Sequence, residues 1–243
     1  MHNPAAQSAV SDALADFAVG APPDQRVRTI AKQTLDDARQ RIATAGDTGH
    51  RLGALLQIED AAPNDARTRA WLLGAILARQ TPGSLATPTL AAVIAMGDQP
   101  AAAEDDLVEA TAIGIEAATR LFAALDSDEY RARWNCAASI GILGATLAIS
   151  RLQRLDIART RHALGIAATQ AAGLAHNAAH AMAALETGKA AADAIEATLL
   201  AKHGFTSAAA SIDGRRGFAA LMAYRFDTAA IVEGLGTHWT WST

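Results

Sequence analysis

Hydrophobic residues recur along the chain at intervals of three and four positions, and stretches that alternate between polar and apolar residues are almost absent. A spacing near 3.6 is typical of amphipathic helices, whereas strict alternation is typical of strands. The pattern therefore predicts an all-α protein. The predicted helices cover residues 11–19, 27–43, 49–57, 66–78, 89–96, 107–125, 137–152, 157–164 and 178–203.

Residues that favour helix ends occur at several points along this pattern. Ser11 and Asp12 predict one N-cap and Asp156 predicts another, because their side chains accept hydrogen bonds from free backbone N–H groups. Gly188 predicts an interruption or a bend in the last long helix. Gly204 suits the C-terminal cap of the same helix, since glycine tolerates a left-handed backbone.

The strongest loop signal is "RQTPGSLATPT", residues 79–89, which holds two prolines, one glycine and four hydroxyl residues. No segment is long enough to separate independent domains, and no period of 20–50 residues repeats. We therefore predict a single helical domain over residues 1–243. Its last residues, 236–243, have no core pattern, and we expect Trp239 and Trp241 to be exposed there.

Amino-acid composition and net charge limit the classes of function that we expect for this protein. Hydrophobic residues make up 51% of the chain and aromatic residues 5%, so alanine-rich helices in close contact are favoured over a bulky core. The net charge of −4 gives no electrostatic case for nucleic acid or an anionic membrane. Cys136 is the only cysteine, which excludes an internal disulfide and indicates a reducing compartment. With no signal-peptide pattern and no long apolar stretch, we expect a cytoplasmic protein.

Few residues suggest chemistry from spacing alone. His176 and His180 stand one helical turn apart and could bind a metal, but no third ligand is evident, so we predict no metal or other cofactor. Cys136 could be a nucleophile at a helix start, although a small buried side chain is the favoured interpretation. Arg215 and Arg216, between two glycines, could receive a carboxylate, but a solvated turn is favoured.

Several stretches together resemble the MmgE/PrpD family, which includes 2-methylcitrate dehydratase, cis-aconitate decarboxylase and iminodisuccinate epimerase. The resemblance covers residues 11–235. It rests on "LADFAVG", "DLVEATAIGIEAATRLFAAL", "GILGATLAISRLQRLDIARTRHALGIAATQAAGL", "GKAAADAIEATLLAKHGFTS" and "GRRGFAALMA", in that order. The resemblance implies a helical domain, commonly in a homodimer, with a smaller α/β lid domain over a cleft. It also implies small di- and tricarboxylate substrates and no metal or organic cofactor.

The sequence departs from the family pattern at its motifs. The Asp-Asp-x-His type motif is replaced by "LARQTPGSLATP". The His-Pro-Thr element falls on residues 135–137, Asn-Cys-Ala, and the Lys-x-Leu-His element falls on residues 183–186, Ala-Ala-Leu-Glu. The sequence stops about where the helical domain would continue into the lid, so we expect the lid to be absent.

The family's chemistry removes a proton next to a carboxylate and stabilises the negative charge that develops. The first hypothesis is a rewired lyase or isomerase, with Glu186 as base. Its remaining candidate site residues are Asn135 and Cys136 in the cleft, and Arg79, Thr81 and Lys189 for binding the substrate. The second is a non-catalytic family member, either a stand-alone protein that binds a small carboxylate or a partner that regulates a longer family member. For either hypothesis we expect a homodimer, or a heteromer with a longer family member. The third treats Glu186 as part of a solvated helix face.

Overall fold

The computed structural model describes residues 8–45, 65–97 and 102–242. It confirms the all-α prediction: the described residues form helices, and the only β-type pairing among them is an isolated antiparallel bridge between Trp134 and Leu174. In chain order the helices are α1 (Ala9–Val19), α2 (Gln25–Ala43), α3 (Ala66–Gln80), α4 (Thr87–Gly97), α5 (Glu104–Leu125), α6 (Asp128–Arg133), α7 (Cys136–Leu152), α8 (Ile157–Gln170), α9 (Ala181–Lys202), α10 (Phe218–Met222) and α11 (Thr228–Val232). Short 3₁₀ turns cover Ala175–Asn177 and Thr240–Ser242.

Helix α7 lies at the centre of the fold. Residues 137–150 are all buried, and α4, α5, α8 and α9 pack around them. The close approach depends on small residues: a Cβ added at Gly144 would meet the Gly114 carbonyl of α5, and one added at Gly141 would meet Pro88 of α4. The runs of glycine and alanine in the sequence thus set how near these helices come.

Helices α3 and α9 form the second close pair, and they run in opposite directions. Arg67 lies opposite Glu196 at one end, whereas Gly74 lies opposite Gly188 nearer the other. The indole N–H of Trp71 donates to the Leu185 carbonyl at 3.0 Å. The C-terminal end of α3 therefore lies at the N-terminal end of α9.

The structure corrects two predicted helix starts and one predicted interruption. The N-cap of α1 is Ser8, whose hydroxyl accepts from the Ser11 N–H, so Ser11 and Asp12 lie inside the helix. Helix α9 begins at Ala181 rather than at residue 178, after a separate 3₁₀ turn, and it continues without interruption through Gly188. Gly188 is needed for contact with α3, because a Cβ there would meet the Trp71 carbonyl.

Helix α8 continues to Gln170 instead of ending at residue 164 as predicted, whereas two predicted capping residues agree with the structure. Asp156 caps α8 by accepting from the Arg159 N–H at 2.8 Å, and Gly204 follows α9 with a φ of +91°. The helix predicted at 49–57 lies outside the described residues. No described helix is long and apolar enough to cross a membrane.

The C-terminal segment is packed against the fold, which overturns the prediction of two exposed tryptophans. Trp239 is only 7% exposed and its ring lies 5.5 Å from that of Phe17. Trp241 is partly buried. The segment has no periodic core pattern. Hydrogen bonds to a buried ion pair of α5, Glu116 and Arg120, help to hold it in place. The partner hypothesis therefore loses the tryptophans as its motivation.

Candidate functional site

The start of α7 is fixed by Asn135, its N-cap. The side-chain oxygen accepts from the Ala138 N–H at 3.3 Å, and the backbone N–H donates to the Gly173 carbonyl at 3.0 Å. Aspartate, asparagine and serine are favoured at this position because such a bond satisfies a free N–H of the first turn. The cap leaves the Asn135 amide nitrogen free to donate elsewhere.

That amide nitrogen donates to Glu186, on the first turns of α9. The Asn135 Nδ2 lies 3.2 Å from Glu186 Oε2, and the Nδ2 of Asn177 lies 2.5 Å from Glu186 Oε1. Each carboxylate oxygen of the half-buried Glu186 thus accepts from a different amide. We call Asn135, Asn177 and Glu186 the Glu186 cluster, which joins α7, the 173–180 segment and α9.

Gly173 makes room for the Glu186 cluster. Its φ is +122°, and an added Cβ would lie 3.0 Å from the Cβ atoms of Asn135 and Ala138 and 3.4 Å from Glu186 Oε2. Only glycine adopts this backbone conformation without strain. The segment that carries Asn177 can therefore run directly beside the carboxylate.

The thiol of Cys136 is half-buried one residue beyond Asn135, and its Sγ lies 3.7 Å from the Trp134 carbonyl oxygen. Burial raises the pKa of this thiol, and the negative charge of Asp126 raises it further, while Arg131 acts in the opposite direction. Arg131 is itself paired with Asp126, at 2.6 Å from Nε to Oδ1. A nucleophilic cysteine needs a lowered pKa, so the environment favours the interpretation of Cys136 as a small buried side chain.

We expect the folded protein to react with iodoacetamide several times more slowly at neutral pH than the urea-unfolded chain does. A raised pKa leaves less thiolate, and the thiolate is the reactive form. The rate in the folded state should keep rising with pH beyond 9.0, the ordinary value for this thiol. Asp126→Asn should speed labelling, because it removes a charge that raises the pKa. Equal rates in the folded and unfolded chains would contradict this account.

None of the three predicted substrate-binding residues forms a hydrogen bond or an ion pair with the Glu186 cluster. Lys189 pairs with Asp193, with Nζ 2.5 and 2.6 Å from the two carboxylate oxygens. Burial raises the pKa of Asp193, and the hydrogen bond from Lys189 acts in the opposite direction. Thr81 follows α3 and donates to the Leu77 carbonyl at 3.0 Å. Arg79 is exposed, and its side chain has no ion pair or hydrogen bond within the described part of the chain.

The structure thus joins Asn135 to Glu186 and adds Asn177, which the sequence reasoning missed. The only signal in the sequence was its place in "HNAAH", between the two histidines considered for a metal. His176 and His180 are both exposed. Within residues 8–45, 65–97 and 102–242, no group of three or more histidine, cysteine, aspartate or glutamate side chains is arranged to hold a metal ion.

Comparison with known proteins agrees with this fold. The family described as MmgE/PrpD N-terminal domain matches residues 70–230, which contain α4 to α10 and the whole Glu186 cluster. A search of curated proteins finds no match. Because the family match spans more than half of the 243 residues, the chain belongs to the MmgE/PrpD family.

Proposed function

We propose that the chain acts as a lyase or isomerase on a small carboxylate and that Glu186 accepts the proton. The observation that carries the proposal is the Glu186 cluster, in which two amides hold one carboxylate at the junction of α7, the 173–180 segment and α9. Proton abstraction requires a base held in a defined position. The cluster supplies such a base in a family whose chemistry is proton abstraction.

The two hydrogen bonds from side-chain amides leave the Glu186 carboxylate able to accept a proton. An ionised carboxylate has about four lone-pair sites, and Asn135 and Asn177 occupy one on each oxygen. Glu186 is half-buried, so the residue is not fully enclosed by the protein. In this proposal Asn135 and Asn177 are positioning residues, because they hold Glu186 and do not touch the substrate.

We assign the binding of a substrate carboxylate to Arg79, because it is the predicted cation that no described residue neutralises. Helix α3 runs opposite to α9, with Gly74 against Gly188, and Arg79 lies five residues farther along, roughly 7.5 Å at the helical rise. The C-terminal end of α3, which carries Arg79, lies at the N-terminal end of α9, which carries Glu186. Lys189 is less suitable, because Asp193 already neutralises its ammonium group.

The proposal is tested by proton exchange in D₂O. The protein is incubated with 2-methylcitrate, cis-aconitate, malate or succinate, and deuterium incorporation next to the carboxylate is followed by ¹H NMR. Glu186→Gln should slow exchange by about 10²–10⁴-fold, the usual contribution of a general base. The matched control is Glu196→Gln on the same helix, where the carboxylate only faces Arg67 at 3.7 Å; its exchange rate should be unchanged.

A second variant separates lost chemistry from lost structure. In Glu186→Gln, the new amide NH₂ meets an amide donor of the Glu186 cluster, so its melting temperature must be compared with that of the original protein. Glu186→Asp keeps the charge but shortens the side chain by one methylene, and it should also slow exchange. Unchanged exchange in Glu186→Gln would refute the proposal. Absence of exchange in the original protein would favour the non-catalytic alternative.

A further inference from the structure

A cavity of about 220 Å³ opens between α2, the C-terminal end of α3, the loop at 81–86 and the start of α4. It shares no residue with the Glu186 cluster. Its apolar lining comes from small and aliphatic side chains of the three helices. Its polar lining consists of Thr34, Asp37, Arg41, Thr81, Ser84 and Thr87.

The hydroxyls of this lining divide into two kinds. Those of Thr34 and Thr81 donate to backbone carbonyls of α2 and α3, at 2.9 and 3.0 Å, so towards the cavity they can only accept hydrogen bonds. Those of Ser84 and Thr87 form no hydrogen bond with the described residues and can still donate.

The hydroxyl of Thr87, which has no partner among the described residues, is the observation that points to a ligand. The residue is only 1% exposed and lines the cavity, yet its hydroxyl has no partner in the described part of the chain. The hydroxyl oxygen is not fully enclosed by protein, so a group inside the cavity can reach it. Buried hydroxyls are usually satisfied by protein, water or ligand, so a polar group in the cavity would complete this site.

Two opposite charges stand on the rim. Asp37 and Arg41 are four residues apart on α2, a spacing at which such side chains commonly pair. They form no ion pair with each other or with any other described residue. The backbone carbonyl of Arg41 accepts from Gln80 Nε2 at 3.1 Å, which ties this end of α2 to α3. Both charges are therefore available to a ligand on a fixed helix end.

We propose that this cavity binds a small zwitterionic amino acid. Arg41, Ser84 and Thr87 donate to the carboxylate, and Asp37, Thr34 and Thr81 accept from the ammonium group. The cavity is smaller than the usual range of drug-sized pockets, which restricts the ligand to a small metabolite. The site goes beyond the proposed function, because it uses none of the residues assigned to proton transfer.

The test is a ¹H–¹⁵N NMR titration of the whole chain with three matched probes. L-serine carries both charges, glycerate replaces the ammonium with a hydroxyl, and L-serinamide lacks the carboxylate. L-serine should shift the amide signals of residues 34–41 and 81–87. Glycerate and L-serinamide should each bind about tenfold more weakly, since each loses a charge-assisted hydrogen bond. No shift with L-serine, or equal binding of glycerate, overturns the proposal.

Variants test the residue assignments. Arg41→Gln and Thr87→Val should each weaken L-serine binding, and Asp37→Asn should weaken L-serine binding without affecting glycerate. The matched control is Asp36→Asn, since Asp36 pairs with Lys32 instead of lining the cavity. Glu186→Gln should bind L-serine as the original protein does, which separates this site from the proposed function. Unchanged binding in Arg41→Gln would refute the site.

Discussion

Replacing Arg120 by alanine is expected to lower the free energy of unfolding by about 3–5 kcal/mol, because it leaves a buried carboxylate without its cation. Arg120 is 2% exposed and Glu116 is 0% exposed. The Arg120 Nε donates to Glu116 Oε1 at 2.5 Å. The change is measured by urea unfolding followed by circular dichroism.

The same pair holds the C-terminal segment, so the effect should be visible there first. The Arg120 guanidinium donates to the carbonyls of Glu233 and His238 at 2.7 and 2.6 Å, and Glu116 accepts from the Thr240 N–H at 2.8 Å. In Arg120→Ala, backbone amides at 231–242 should exchange with deuterium faster than those of α7. An unfolding curve and exchange pattern like those of the original protein would contradict this role.

A surface pair provides the control for Arg120→Ala. Arg159 faces Asp156 at 3.4 Å with 55% of its side chain exposed, so Arg159→Ala should change stability by less than about 1 kcal/mol. The double variant Glu116→Leu with Arg120→Met should cost less than the two single changes added together. Removing both charges leaves neither one buried and unpaired.

Gly188→Ala is expected to destabilise the protein by about 1–3 kcal/mol, the usual cost of overpacking a core. In an exposed helix interior the same change would stabilise by about 1 kcal/mol, because alanine favours the helix. Here the new Cβ would lie 2.7 Å from the Ala75 nitrogen and would also meet the Trp71 carbonyl, both of them backbone atoms of α3. The melting temperature reports the change.

Gly97→Ala is the matched control, at the end of α4. The three atoms nearest to its Cβ would all belong to the Leu107 side chain, the closest a methyl group at 2.8 Å, and that flexible end can turn aside. Gly97→Ala should therefore be nearly neutral. Gly188→Ala should also slow any proton exchange that depends on Glu186, because Leu185 and Glu186 move with α9. A Gly188→Ala protein as stable as the original would show that α3 and α9 can separate at no cost.

Asn135 and Glu186, which are in contact in the structure, were both candidate site residues in the sequence hypothesis. That hypothesis did not predict the contact between them. Asn135 and Glu186 are 51 residues apart, and each was singled out because it stands where the family carries a histidine-containing element. Asn177 had no such correspondence. Its role depends on Gly173, whose positive φ turns the 173–180 segment towards α9.

The all-α architecture, the Asp156 cap and the Gly204 terminus could be predicted from the sequence, because hydrophobic spacing and capping act over a few neighbouring residues. Three features depended on tertiary structure: Gly188 serves a helix contact instead of a bend, Trp239 is buried, and Glu186 is held by two amides. Each depends on which distant helices meet and how closely, and a local pattern contains no information on those distances. The sequence by itself therefore determined the helices and their family, whereas only packing decided which side chains form a site.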